Sequence, residues 1–215
     1  KCKKKISWYD NIPLISYIFL GGKCRNCKKK ISIQYLIVEL LTALFFLIEY
    51  FYYGLTFTTV LLFILTLGLI IIFFIDLKHF IIPDVITFPL MIIGFLKSFD
   101  PNLNEIFPNY INSLIGGCFG YGIIWGIIFF YKKLKNKEGM GLGDAKLLAL
   151  VGFWFGLESV PFVIFLSSVI ALLVVLPDLI RKTKKMSTQI PFGPYIILGN
   201  LIYFLFENKL KFFVI

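Results

Sequence analysis

Seven apolar runs, separated by short polar or glycine-containing loops, occupy most of the chain after residue 34. They cover residues 35–53, 57–75, 85–96, 111–131, 145–157, 161–180 and 195–206. A run of about 20 apolar residues is long enough to cross a bilayer as an α-helix. The pattern therefore predicts an all-α fold, a polytopic transmembrane helical bundle of about seven spans over residues 35–207.

Residues 1–34 have a different character, because they are polar and basic and contain Cys2, Cys24 and Cys27. We interpret them as a small segment outside the membrane, separate from the bundle. The chain opens at Lys1 in the middle of this basic segment, with no initiator methionine or signal peptide before it. We therefore expect an upstream segment in the intact protein.

Composition supports a membrane protein, since 59% of the residues are hydrophobic and 16% are charged. Soluble domains have roughly 45–50% apolar and 25% charged residues. The net charge of +10 could indicate a nucleic-acid partner, but no motif for nucleic acid or nucleoside triphosphates accompanies it. With seven spans, 19 of the 22 lysines and arginines fall on the side of residues 1–34. By the positive-inside rule that side is cytoplasmic.

Two acids lie at the predicted cytoplasmic ends of different spans. Asp76 ends the second apolar run, and Asp144 opens the fifth, directly after Gly141-Leu142-Gly143. Either acid alone has an ordinary explanation, as a helix cap or as a charge that reaches the interface. Two acids at matched depth instead favour a functional pair. Two adjacent carboxyls can share a proton and activate water, and the helix dipoles favour Asp144 as the initial base and Asp76 as the acid.

Several further residues could have either a functional or a purely structural role. Cys24-x-x-Cys27 with Cys2 is typical of a structural zinc knuckle, or of thiols in a basic loop. Asp84 follows Pro83 and either caps a helix or faces the acids, whereas Lys146 is a topology determinant that could hold lipid phosphate. Ionisable Glu39 lies inside the first span, which favours a function. Glu49 is nearer the end of that span, where we expect an interfacial position.

The ordered motifs resemble those of the type IV prepilin leader peptidases, which are GxGD intramembrane aspartic proteases. The matching segments are Trp8–Pro13, Gly22–Cys27, Ile31-Ser32, Val38-Glu39-Leu40, Ile75–His79, Ile82-Pro83-Asp84, Gly141–Leu147 and Pro191–Pro194. The resemblance implies a bacterial inner-membrane enzyme that cleaves the basic leader of type IV prepilins and pseudopilins at the cytoplasmic face. Asp76 and Asp144 match the family's catalytic pair, with Gly141, Gly143, Asp84 and Lys146 around them.

The resemblance also implies a second activity. Long members of the family methylate the new N-terminus of the cut pilin with S-adenosylmethionine, an activity associated with the cysteine segment, and Glu39 is our candidate for that site. The family usually has two CxxC pairs. Here Cys24 and Cys27 form one pair, and the partner of Cys2 is expected upstream. No cofactor is expected for proteolysis itself.

Two other functions remain to be distinguished. Paired membrane acids also serve as ion sites in proton-coupled transporters, whose sites lie near the middle of the bilayer. A non-catalytic assembly scaffold would not need either acid. The predicted partners are thus prepilin-like proteins and membrane lipid, and no nucleic acid.

Overall fold

The computed structural model describes residues 5, 7–11, 15–104, 106–135, 141–180 and 190–213, and within these ranges the fold is all-α. The helices are α1 (Ile15–Phe19), α2 (Ile33–Tyr53), α3 (Phe57–His79), α4 (Asp84–Leu96), α5 (Tyr110–Lys135), α6 (Leu142–Phe155), α7 (Ser159–Ile180) and α8 (Gly193–Phe213). Short 3-10 helices cover Trp8–Asn11, Lys97–Phe99 and Pro101–Leu103.

Each predicted apolar run lies within one of the helices α2 to α8 or overlaps most of it. Four helical segments are long and apolar enough to cross a membrane, namely Ile33–Tyr53, Phe57–His79, Tyr110–Leu134 and Ser159–Pro177. The predicted helical membrane bundle is therefore confirmed, while the count of seven spans stays a prediction. The chain forms two compact units, residues 1–70 and 71–215, and the predicted division at residue 34 also stays a prediction.

The first unit holds a small folded segment and the helices α2 and early α3. Arg25 forms a bidentate pair with Asp10, at 2.7–2.8 Å for the shorter contacts, and this hydrogen bonding lowers the pKa of Asp10. Ser32 caps α2 by accepting a hydrogen bond from the Gln34 N–H. Glu49 is buried and accepts a hydrogen bond from the Thr66 hydroxyl. The structure thus places Glu49 between α2 and α3, and its interfacial position stays a prediction.

The second unit is built around α6, which is buried along most of its length. Its closest neighbour is α5, and glycines on both helices allow their backbones to touch. A Cβ atom on Gly152 would lie 2.1 Å from the Gly116 carbonyl oxygen, and one on Gly120 would lie 2.6 Å from the Leu148 carbonyl oxygen. Small residues of this kind permit close helix packing inside membranes. This contact fixes α6 and the acid that it carries.

The C-terminal end of α6 is fixed by polar contacts to neighbouring helices. The Trp154 indole N–H donates to the Leu90 carbonyl of α4 at 2.8 Å. Lys97 Nζ donates to the Trp154 carbonyl at 3.1 Å and lies 3.8 Å from the centre of the Phe107 ring. A cation at a helix C-terminus is favourable, yet burial lowers the pKa of Lys97 to about 7.

Candidate active site

Asp76 lies in the last turn of α3, and its side chain is buried although the helix ends three residues later. The Phe80 N–H donates to the Asp76 carbonyl at 2.9 Å, and Phe80 then takes a positive φ of 57°. A positive φ is uncommon for a bulky residue and reverses the chain direction after a helix. After this reversal the chain passes Ile82, which is buried, before α4 begins at Asp84.

The N-terminus of α8 holds the Asp76 carboxyl. The Gly193 N–H donates to Asp76 Oδ2 at 3.1 Å. A Cβ atom on Gly193 would lie 2.6 Å from that same oxygen. Both protonation states of a carboxyl offer an acceptor oxygen, so this contact positions Asp76 whether it acts as an acid or as a base.

Asp144 lies in the first turn of α6 and is also buried, with 8% of its surface exposed. The residue at the N-cap is Gly141, so Asp144 is the third residue of the helix and not its cap. Its carboxyl interacts with the Gly141 backbone N–H, which is the reach-back that an acid at this position makes in a capping box. The helix start therefore directs the carboxyl towards the end of the bundle.

Ile82 connects the two acids. A Cβ atom on Gly143 would lie 3.1 Å from Ile82 Cβ, and one on Gly193 would lie 3.2 Å from Ile82 Cδ1. Because Gly193 contacts Asp76 and Gly143 precedes Asp144, the packing of Ile82 brings the end of α3 and the starts of α6 and α8 together. The two carboxyls are close enough for a direct electrostatic interaction. The arrangement is that of two buried carboxyls at one end of the second unit.

Asp84 and Lys146 connect the same helix ends from the outer side. Lys146 Nζ contacts the two Asp84 carboxylate oxygens at 2.7 and 2.8 Å. Pro83 is the N-cap of α4, and no side-chain hydrogen bond caps this helix. Of the two alternatives for Asp84, the capping role is therefore absent, and its carboxylate ties α4 to α6.

The remaining predicted site residues belong to the first unit. Glu39 lies on an exposed face of α2. Cys24 is half-buried and Cys27 exposed, and they flank a turn in which the Lys28 N–H donates to the Cys24 carbonyl at 2.9 Å. Cys2 lies outside the described residues. Within the described ranges, no group of three or more potential metal ligands occurs, so the zinc site stays a prediction.

Two residues of the site were not assigned a role from the sequence. Gly193 and Ile82 both lie in motifs that carry the resemblance, Pro191–Pro194 and Ile82-Pro83-Asp84. The sequence signal for both residues is that their motifs lie in loops at the same predicted membrane face as Asp76 and Asp144. Their function depends on contacts between segments up to 117 residues apart, which no local pattern specifies.

Comparison with known proteins finds two family models that match the chain. The model of the type IV leader peptidase family matches residues 63–176, and that of the bacterial peptidase A24 N-terminal domain matches residues 1–53. No solved structure matches the chain.

Similar proteins include the prepilin leader peptidase/N-methyltransferase of Pseudomonas aeruginosa, which is 36% identical over 98% of this chain and 71% of its own length. The proteins of the same name from Xanthomonas campestris and Neisseria gonorrhoeae are each 37% identical. Those alignments cover 96% and 95% of this chain, and 70% and 68% of the respective relatives. Because the leader peptidase family model matches more than half of the chain and these relatives match nearly its whole length, the chain belongs to the type IV leader peptidase family.

Proposed function

We propose that this chain is a membrane aspartic endopeptidase that removes the basic leader peptide of type IV prepilins or pseudopilins. The single observation that carries the proposal is that the buried acids Asp76 and Asp144 come from two separate helices whose ends pack together around Ile82 in the second unit. The similar proteins named above are prepilin leader peptidases, and this arrangement gives the present chain the groups that such a reaction needs.

The reaction follows from the chemistry of two adjacent carboxyls. Like charges in contact do not both ionise readily, so the pair holds one proton between them. The ionised carboxyl takes a proton from a water molecule while the other gives its proton to the oxygen of the scissile carbonyl. The resulting tetrahedral intermediate collapses when the leaving amine receives a proton from the dyad. Burial of Asp76 and Asp144 keeps bulk water from competing for these protons.

The exposed Gly141 supports a role in substrate approach. A Cβ atom there would lie 3.8 Å from Asp144 Oδ2 and would meet no closer neighbour. Among the described residues, no packing contact requires a glycine at this position, which has an ordinary extended conformation with φ −82° and ψ 144°. We infer that the space serves the substrate, whose peptide must be extended to expose its carbonyl, since helices shield their own amides.

The charge distribution supports a position of the dyad at the cytoplasmic face. Asp76 ends α3 and Asp144 begins α6, and both helix ends belong to the side that holds 19 of the 22 basic residues in the predicted topology. A leader peptide on the cytoplasmic side would reach the dyad without crossing the bilayer. A proton-coupled carrier would place its acids near the middle of the bilayer, whereas these lie at the cytoplasmic ends of the predicted spans.

We also infer a second activity, methylation of the new N-terminus with S-adenosylmethionine as the methyl donor. Glu39 is our candidate for this site because it is an acid within the α2 span. Cys24 and Cys27 fit a zinc ion as two of four thiolate ligands, since a turn presents them three residues apart. Bound zinc would fix the fold of the basic segment, and Cys2 would supply a third ligand.

The test uses purified protein, a synthetic prepilin and single substitutions. Asp76→Asn and Asp144→Asn should each lower kcat at least about 1000-fold, because neither acid alone can both activate water and protonate the carbonyl. Glu158→Gln, in the exposed loop after α6, is the matched control and should cleave at the parent rate. Retained cleavage by either Asp variant would remove the dyad from the mechanism.

Methylation is measured separately on a pilin peptide that lacks its leader. Both Asp variants should still methylate this peptide, whereas Glu39→Gln should not. A Glu39→Gln protein with full methylation would exclude Glu39 and leave the peptidase proposal intact.

A further inference from the structure

One face of α1 carries three apolar side chains that lie outside the protein core. Ile15, Ile18 and Phe19 are spaced i, i+3 and i+4, so they share one side of the helical turn. Their exposed fractions are 52%, 71% and 86%. Exposed apolar groups gathered on one face indicate a surface that is covered by something else.

The opposite side of α1 is fixed to the rest of the basic segment, so this exposure is not the result of a loose helix. The Ser16 hydroxyl donates to the Asp10 carbonyl at 2.7 Å. Gly22 donates its N–H to the Tyr17 carbonyl at 2.9 Å, and a Cβ on Gly22 would lie 2.9 Å from the Tyr17 hydroxyl. These contacts hold Ile15, Ile18 and Phe19 in a defined outward orientation.

A basic turn follows directly. An antiparallel bridge pairs Lys23 with Lys30, and the three consecutive lysines Lys28, Lys29 and Lys30 are exposed. Arg25 in the same turn is engaged by Asp10. The three apolar residues of α1 and the run Lys28–Lys30 together form what we call the α1–lysine surface.

The α1–lysine surface lies close to the membrane boundary. Ser32 caps α2, the first long apolar helix, so Lys30 is three residues from Ile33 at the start of that candidate span. Three residues of chain reach at most about 10 Å. Ile33 and Tyr35 are themselves 62% and 67% exposed, as expected for side chains at the level of lipid headgroups.

We propose that the α1–lysine surface docks on anionic phospholipid. The three apolar side chains would enter the boundary between headgroups and acyl chains, and Lys28–Lys30 would contact the headgroup phosphates. Amphipathic segments bind bilayers by this combination of buried apolar area and attraction to anionic lipid. Charge complementarity favours lipid over the prepilin leader, since that leader is itself basic. The inference does not depend on the reaction that the dyad catalyses.

The experiment places the photoreactive residue p-benzoylphenylalanine at position 19 of the full chain, in nanodiscs that contain equal amounts of phosphatidylglycerol and phosphatidylcholine. Mass spectrometry of the peptide that contains residue 19 then counts adducts to each lipid. We expect phosphatidylglycerol adducts to exceed phosphatidylcholine adducts about fivefold. Lys28→Gln/Lys29→Gln should bring the ratio close to one. The matched control, Lys132→Gln/Lys133→Gln near the end of α5, loses the same charge and should keep the parent ratio.

A second measurement on the unaltered lysines guards against misfolding of the variant. Raising the salt concentration to about 1 M shortens the screening length to about 3 Å and should reduce the lipid preference while adducts to lipid persist. Equal adducts to the two lipids at low salt, or no lipid adduct at position 19, would overturn the proposal. Adducts to added synthetic prepilin in place of lipid would overturn it as well, because they would identify a protein-docking surface.

Discussion

The contact between α8 and Asp76 leads to a sharp prediction for Gly193→Ala. The new methyl group would lie 2.6 Å from Asp76 Oδ2 and 3.2 Å from Asp76 Cγ. Carbon and oxygen atoms do not approach so closely, so the carboxyl must move by about 0.8 Å to regain ordinary contact. Gly193 is the first residue of α8, and alanine suits a helix, so the substitution acts on the carboxyl rather than on the backbone.

A displacement of this size is large for a reacting group. A misplacement of about 1 Å lowers a catalytic rate about 100-fold, which corresponds to about 2.7 kcal/mol in activation free energy. We therefore expect kcat for cleavage of a synthetic prepilin to fall about 100-fold, with KM within about threefold of the parent value. Gly122→Ala is the control, because a Cβ atom there meets nothing within 4 Å, and its kcat should not change.

The methyl group would also touch Ile82 Cδ1, at 3.2 Å, which offers a way to separate the two effects. Ile82→Val removes that methyl group, so the double variant Gly193→Ala/Ile82→Val should be more stable than Gly193→Ala. Its kcat should stay low, since the contact with Asp76 persists. If Gly193→Ala cleaved prepilin at the parent rate, Asp76 would not be held by α8 during the reaction. If Ile82→Val restored the rate, the effect would come from packing and not from the carboxyl.

Three further predictions address substrate approach, helix packing and pH. Gly141→Ala should leave the melting temperature unchanged but raise KM about tenfold, because its Cβ finds only ordinary contacts within the protein; an unchanged KM would exclude substrate approach there. Gly152→Ala should lower stability by about 3 kcal/mol, as thermal unfolding in detergent would show, because its Cβ would lie 2.1 Å from the Gly116 carbonyl oxygen, and parent-like unfolding would refute this close packing. For Lys97, whose pKa burial lowers to about 7, the unfolded chain binds more protons than the folded chain above neutral pH, so stability should rise between about pH 7 and pH 10. Lys97→Met should lose this rise, and a rise of equal size in the variant would assign it to another group.

Much of the fold was predictable because the apolar runs are long and sharply bounded. The helices α2 to α8 begin or end close to the predicted positions, and polar or glycine residues mark most of these ends. Asp76 and Asp144 were predictable as a pair, since each lies at the end of an apolar run and alternation of the spans gives the two ends the same side. Their motifs added the resemblance to a peptidase family.

The details that position the acids were not predictable from local patterns. The N-cap of α6 is Gly141, three residues before Asp144. The Asp144 carboxyl interacts with the Gly141 backbone N–H, so an acid at the third helical position bonds the N-terminus of the helix without being its cap. The partner of Lys146 is Asp84, 62 residues earlier in the chain. Burial of Glu49 and Lys97 depends on which helix faces pack together, and hydropathy alone does not specify that.

The measurement that tests the central claim most directly is the proximity of positions 76 and 144 in the membrane. A chain with Asp76→Cys and Asp144→Cys is treated with a short bifunctional thiol reagent in nanodiscs, and mass spectrometry identifies the linked peptides. The control pairs Asp76→Cys with Glu158→Cys, which lies beyond the other end of α6, and the helix from Asp144 to Phe155 alone is about 16 Å long. Efficient linkage of 76 to 144, with none to 158, is the predicted result. Absence of the 76–144 link, or an equal yield for both pairs, would contradict a catalytic dyad built from these two acids.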